Sequence, residues 1–294
     1  MCSFRLFDVQ KPKEEEEQKP KEKEVQKPKE EEVLSTKVTK EDLENAVEDE
    51  FGVKYSKDWK RLLKAPRNMS GKYSIRKGVK VIGYVAFGGC KFLTNINIPN
   101  SVTTIGDRAF AFCDSLTSIN IPNSVTTIGD SAFWDCSSLV NINIPNSVTT
   151  IGRGAFKYCR SLTNINIPNS VTTIGKLAFW GCESLVNISI PNSVTTIGNW
   201  AFNGCKSLTN INIPNSVTTI GEYTFSNCDS LVNINIPNSV TTIGKLAFWG
   251  CESLVNINIP NSVTTIENGA FFYCKNLPSH IKSDLIQRFG EKVF

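Results

Sequence analysis

The sequence predicts a β-rich α/β solenoid of nine 23-residue coils with parallel strands, closed by an N-terminal helix plus strand pair and by a C-terminal helix. Three observations carry that expectation. A 23-residue block recurs nine times; a short stretch inside each block alternates apolar and polar residues with period two; and the sequence leaves the repeat at both ends in amphipathic segments suited to closing it.

Residues 1–37 read as a disordered tether rich in lysine, glutamate and proline. Three octads there begin Gln-Lys-Pro-Lys, so a proline interrupts any helix once per octad and almost nothing apolar is available to bury. The composition resembles the charged spacers of bacterial envelope proteins. Residues 1–9 hold one basic residue and no apolar run of signal length, so a Sec leader is not expected, which favours a cytoplasmic chain or another export route. No run approaches the ~18 apolar residues of a membrane span.

Residues 38–74 are expected to cap the array. Thr39 with Asp42 has the form of a capping box, and Leu43, Val47 and Phe51 then fall on one helical face before Gly52. Residues 53–63 and 73–75 read as strands flanking a turn-rich stretch, a pair that would cover the first coil.

The array, residues 75–278, starts degenerately at Ile75 and continues in close copies from Ile98, Ile121, Ile144, Ile167, Ile190, Ile213, Ile236 and Ile259. The unit reads Ile-Pro-Asn-Ser-Val-Thr-Thr-Ile-Gly-x-x-Ala-Phe-x-x-Cys-x-Ser-Leu-x-Asn-Ile-Asn. Leu116, Ile119 and Ile121 have the L-x-x-L-x-L spacing of a strand in a leucine-rich-repeat array. Pro122 closes that strand, Val125 and Ile128 enter the core from the opposite wall, Gly129 permits a corner, and Ala132, Phe133 and Cys136 suit one helical or 3₁₀ turn. The stretch 175–188 recurs unchanged at 244–257, a sign of growth by duplication. Beyond Cys274 the pattern breaks, and residues 279–294 read as a closing helix capped by Ser279, with Ile281, Leu285 and Phe289 on one side.

The motif resembles the BspA-type leucine-rich repeats of bacterial and protist surface proteins. The resemblance implies a non-enzymatic protein that binds a protein or glycan in an adhesin-like or host-recognition role, at the cell surface or secreted. An intracellular interaction scaffold is the other reading.

Nothing in the array brings together a nucleophile and base, paired carboxylates or metal ligands, so neither catalysis, cofactor nor metal is expected. His280, the single histidine, falls at the start of the closing helix. Nine of the ten cysteines recur every 23 residues, one per coil, which favours a buried reduced ladder over disulfides or metal sites. The outward strand positions include Asn141, Asn143, Asn164, Asn166, Asn187, Asn210, Asn212, Asn233 and Asn235. These neutral amides could hold a repetitive polar ligand on the inner face, or could only hydrogen-bond one another along the stack. Variation between copies gathers after the glycine and before the cysteine. There Trp134, Trp180, Trp200 and Trp249 form an alternative convex-side site or a cover for the core. Paired threonines make a further ladder, without the Thr-x-Thr spacing of ice-binding solenoids.

The net charge of +4 conceals a basic cluster. Residues 54–80 hold ten lysines and arginines against Asp58, whereas residues 81–274 hold eight basic and nine acidic side chains. An anionic surface could bind that cluster, but the acidic residues before it are an internal partner, and nucleic acid is not the expected ligand. A monomer is expected.

Overall fold

The computed structural model describes residues 34–294, which form a single solenoid. Most of the expected tether therefore lies outside the described residues. Its last part does not: the Tyr84 N–H donates to the Thr36 carbonyl at 2.7 Å, which places residues 34–37 against the first coil.

Each coil has three walls. The first is built of strands such as Ser118–Asn120, Asn141–Asn143 and Asn164–Asn166, parallel and in register, with Asn141 opposite Asn164 and Ile142 opposite Ile165. The second is built of two-residue strands such as Thr150–Ile151 and Thr173–Ile174, also parallel and in register. It was foreseen as an apolar wall but not as a sheet. Its ladder breaks once, between Thr196–Ile197 and Thr219–Ile220, next to the coil in which Thr224 replaces the repeat alanine.

The third wall differs from the expected single helical or 3₁₀ turn. It consists of successive tight turns whose N–H groups alternate between their own coil and the next. Ala132, Trp134 and Cys136 donate back to Gly129, Ser131 and Phe133, while Ser131, Phe133 and Asp135 donate to Arg153, Ala155 and Lys157 of the following coil at 2.7–2.9 Å. The reason is steric. A helix is ~10–12 Å across, twice the ~4.8 Å separating paired strands, so helices could not stack at the pitch the two sheets impose. Turns can, provided two residues per coil turn left-handed; Ser131 and Asp135 do so, with φ of 55° and 56°.

The interior is one column. Leu116, Ile119 and Ile121, Val125 and Ile128, then Ala132, Phe133 and Cys136 are all buried, as are their counterparts along the array. Nine phenylalanines, Phe87 to Phe271, stack in near-parallel pairs with centroids 5.2–5.6 Å apart and planes within 12°. Parallel rings at that separation are offset, the favoured arrangement. Gly129 is required by proximity rather than by its own dihedrals: a Cβ there would lie 2.6 Å from the Asp107 nitrogen of the preceding coil.

The N-terminal cap departs from its expected form in two respects. Helix α1, Lys40–Glu44, has the foreseen capping box but stops eight residues short of Gly52. Val47–Glu48 (β1) instead pairs antiparallel with Lys54–Tyr55 (β2). Asp49 Oδ1 accepts the Phe51 and Val53 N–H groups at 3.0 and 2.9 Å, and this local turn wins over helix continuation. Phe51 is left 60% exposed.

Nor do the later cap strands pair with each other. Arg61–Lys64 (β3) joins the threonine wall beside Val81–Ile82 (β5), and Ser70–Ser74 (β4) joins the asparagine wall beside Phe92–Asn97 (β6). The cap is thus an incomplete coil, with Tyr73 opposite Ile96. Asp42 and Arg61 hold α1 to it at 2.8 Å, and the Arg61 guanidinium lowers the Asp42 pKa.

At the other end α2, Ser279–Phe289, buries Leu285 and rests Ile281 and Phe289 on the core. Ser279 is its first residue rather than its cap; Pro278 precedes it without a side-chain hydrogen bond. Arg288 donates to the Ile259 and Pro260 carbonyls at 2.9 and 3.0 Å. The 3₁₀ turn Glu291–Val293 acts as the next turn wall, its region accepting from Gly269 and Phe271.

Because each coil is stabilised only by its neighbours, deleting one ring breaks two stacks. Phe179→Ala is expected to cost about 3–5 kcal/mol in equilibrium urea unfolding. A loss below about 1 kcal/mol would show that the column closes over the gap.

Candidate functional site

The asparagine wall presents two ranks of side chains. In every strand from Ser118–Asn120 onward the central isoleucine is buried and both flanking residues are exposed. Strand alternation sends the isoleucine inward and both amides outward, and the parallel register repeats the pair at each coil. Asn141, Asn143, Asn164, Asn166, Asn187, Asn210, Asn212, Asn233 and Asn235 therefore lie on one continuous surface.

The amides do not consume one another throughout. Asn256 donates to Asn233 at 2.6 Å and Asn233 to Asn210 at 3.0 Å, while Asn164 and Asn210 turn to the neighbouring Thr163 and Thr209 hydroxyls. Among the described residues, Asn143, Asn166, Asn212 and Asn235, all in the second rank, have no side-chain hydrogen bond. Two shallow grooves run along this wall. One, of about 410 Å³, lies over Asn95 to Asn143; the other, of about 370 Å³, lies over Asn210 to Asn258 and ends at Ile281 of α2.

Trp134, Trp180, Trp200 and Trp249 occupy the turn wall and are half-buried. Tyr158, Trp180, Trp200 and Tyr223 form a continuous run, with centroid separations of 5.2, 5.9 and 3.9 Å. Trp134 rests on Phe112 at 4.5 Å and Trp249 on Tyr273 at 6.2 Å. They cover the core edge while keeping part of each ring open. The positions at which sequence varies are those the turns require: the left-handed residues include Arg108, Ser131, Leu177, Trp200, Tyr223 and Leu246.

The cysteines form a structural ladder. All nine are buried free thiols, and each Sγ–H donates to a carbonyl of the preceding coil, Cys136 to Phe110 and Cys159 to Phe133 at 3.1 Å. Burial pushes Cys90 and Cys274 up to about 12. The other seven also move upward, burial leading except at Cys113, where the contact with Cys136 is the larger cause. A low-pKa thiolate is what nucleophilic or metal-binding cysteine needs, so this environment opposes both. Among the described residues no cluster of three His, Cys, Asp or Glu could hold a metal, and His280 is exposed. No described helix is long and apolar enough to cross a membrane.

A protein-family model described as "BspA type Leucine rich repeat region (6 copies)" matches residues 69–186 and 176–294. Among solved structures, a leucine-rich cell surface protein of Faecalibacterium prausnitzii is 31% identical, with a TM-score of 0.51 over 76% of this chain; the chain spans 63% of that protein. The leucine-rich repeat protein of T. pallidum is 26% identical, with a TM-score of 0.54 over 81% of this chain and 92% of its own. One from Eubacterium ventriosum is 28% identical, with a TM-score of 0.50 over 74% and 51%. No curated protein matched the chain.

Raised thiol pKa values make a two-part prediction. Native cysteines in the array should label slowly with iodoacetamide and rapidly after denaturation; rapid native labelling of several would refute the ladder. Unfolded thiols ionise from about pH 9 while folded Cys90 and Cys274 stay protonated to about 12, so the contribution is full below 9 and is lost as pH rises between those values. Thermal midpoints should fall over that window, and less steeply in a Cys182→Ala, Cys205→Ala, Cys228→Ala variant.

Proposed function

Because the chain belongs to the BspA-type leucine-rich repeat family, typically one of non-catalytic binding proteins, we propose that it binds an extended polar ligand, a glycan or extended peptide, through its asparagine wall. The observation that carries this reading is the unspent second rank of amides, Asn143, Asn166, Asn212 and Asn235, which offers both donors and acceptors at each coil. A ligand with its own repeat engages several coils at once, and each added contact forms at high effective concentration. Affinity then grows with coil number. Eight basic and nine acidic residues over positions 81–274 leave little long-range steering along the array, so contacts there act at short range.

The role is adhesin-like, at a bacterial cell surface. Its support is the family and the F. prausnitzii relative, a cell surface protein. Detection of the native protein on intact cells is the expected result; detection only after lysis would favour an intracellular scaffold.

The site is tested with a variant carrying Asn164→Lys, Asn166→Lys, Asn210→Lys and Asn212→Lys, its fold checked by circular dichroism. Against immobilised matrix proteins and neutral polysaccharides it should lose binding by roughly tenfold or more, since several coils are blocked together. A companion with Trp134→Ala, Trp180→Ala and Trp249→Ala should retain that binding. Loss confined to the companion would move the principal site to the turn wall.

A further inference from the structure

The turn wall holds a cavity of about 400 Å³ whose lining spans successive coils and includes Asp107, Arg108, Asp130, Trp134, Arg153 and Lys157. Its volume is that of a small-molecule site, far above what one bare ion fills. The Arg108 guanidinium and the Lys157 ammonium both lie over the Trp134 indole, at 5.5 and 5.3 Å. Arg153 lines the same space. Among the described residues none of these three cations has an ion pair within the chain.

The two carboxylates of the cavity are engaged by backbone. Asp107 accepts the Asp130 N–H and Asp130 accepts the Arg153 N–H, both through Oδ1 at 2.8 Å. Three cations against two carboxylates leave the lining with an excess of positive charge, which is complementary to an oxyanion. The Lys157 pKa is lowered by burial and next by the charge of Arg153, with the Asp135 carboxylate opposing.

We propose that this cavity on the turn wall binds an acidic saccharide, with Arg108, Arg153 and Lys157 holding its sulfate or carboxylate and Trp134 supplying an aromatic wall. A peptide adding as a strand is disfavoured because the backbone there is already spent. The N–H groups of Arg108, Ser131 and Gly154 donate to Asp130, Arg153 and Lys176 at 2.7–2.9 Å, so no edge remains for a peptide strand to join. The site is independent of the asparagine wall, which is neutral.

The test is calorimetric titration of the full chain at low ionic strength with a sulfated, uronate-containing heparin disaccharide. Arg108→Gln, Arg153→Gln and Lys157→Gln together should weaken binding by roughly tenfold or more, since three charge-assisted contacts are removed. A charge-matched variant of the exposed cap residues, Lys64→Gln, Lys72→Gln and Lys77→Gln, should bind as the unaltered chain does. Trp134→Ala, which removes the aromatic wall, should weaken binding by a few-fold. Circular dichroism establishes that each variant folds. The proposal is overturned by absence of disaccharide binding, by unchanged binding in the cavity variant, or by equal loss in the cap variant. It is equally overturned if inorganic sulfate alone, or hexaglutamate, binds as tightly as the disaccharide.

Discussion

Neighbouring coils stand one parallel-strand spacing apart, ~4.8 Å, and this pitch governs every other feature of the molecule. Two walls obey it as in-register sheets. The third must also obey it, which excludes helices and imposes turns that send alternate N–H groups forward to the next coil. The same pitch sets the phenylalanine stack and brings each thiol within reach of the preceding coil's carbonyl. Side chains that repeat every coil therefore act as continuous columns, and a change in one is felt by both neighbours.

That constraint divides the surface into regions of different freedom. On the asparagine wall, strand pairing fixes the backbone and the outward residues form a uniform polar field. The turn wall is different: its left-handed positions suit glycine best, yet Arg108, Leu177, Trp200 and Tyr223 occupy several of them. Strain kept at variable positions beside half-buried aromatics places chemical individuality on this wall, while the uniform wall supplies repetition.

A stack of this kind must also end. Each terminus would expose apolar column and unpaired backbone, and the two caps meet this in different ways. The first continues both sheets with β3 and β4, so that the array begins on an imperfect copy of itself. The last uses α2 and Arg288 to satisfy carbonyls of the asparagine wall and the 3₁₀ turn to receive N–H groups of the turn wall.

By itself the sequence determined the coil length and number, the buried set and the outward asparagines, because periodicity and alternation are local properties that survive in one dimension. It likewise pointed to a buried cysteine ladder, since one cysteine recurs at the same position of every coil. What only the tertiary structure decided involves competition between distant segments. The α1 helix yields to the Asp49 turn, β3 and β4 go to opposite walls rather than to each other, and the turn wall gives up its helix to the pitch of two sheets. Arg108, Arg153 and Lys157 lie 45 and four residues apart along the chain, and nothing local marks them as neighbours of Trp134. They meet because stacking turns a separation of two coils into about 10 Å, a distance that sequence order alone does not measure.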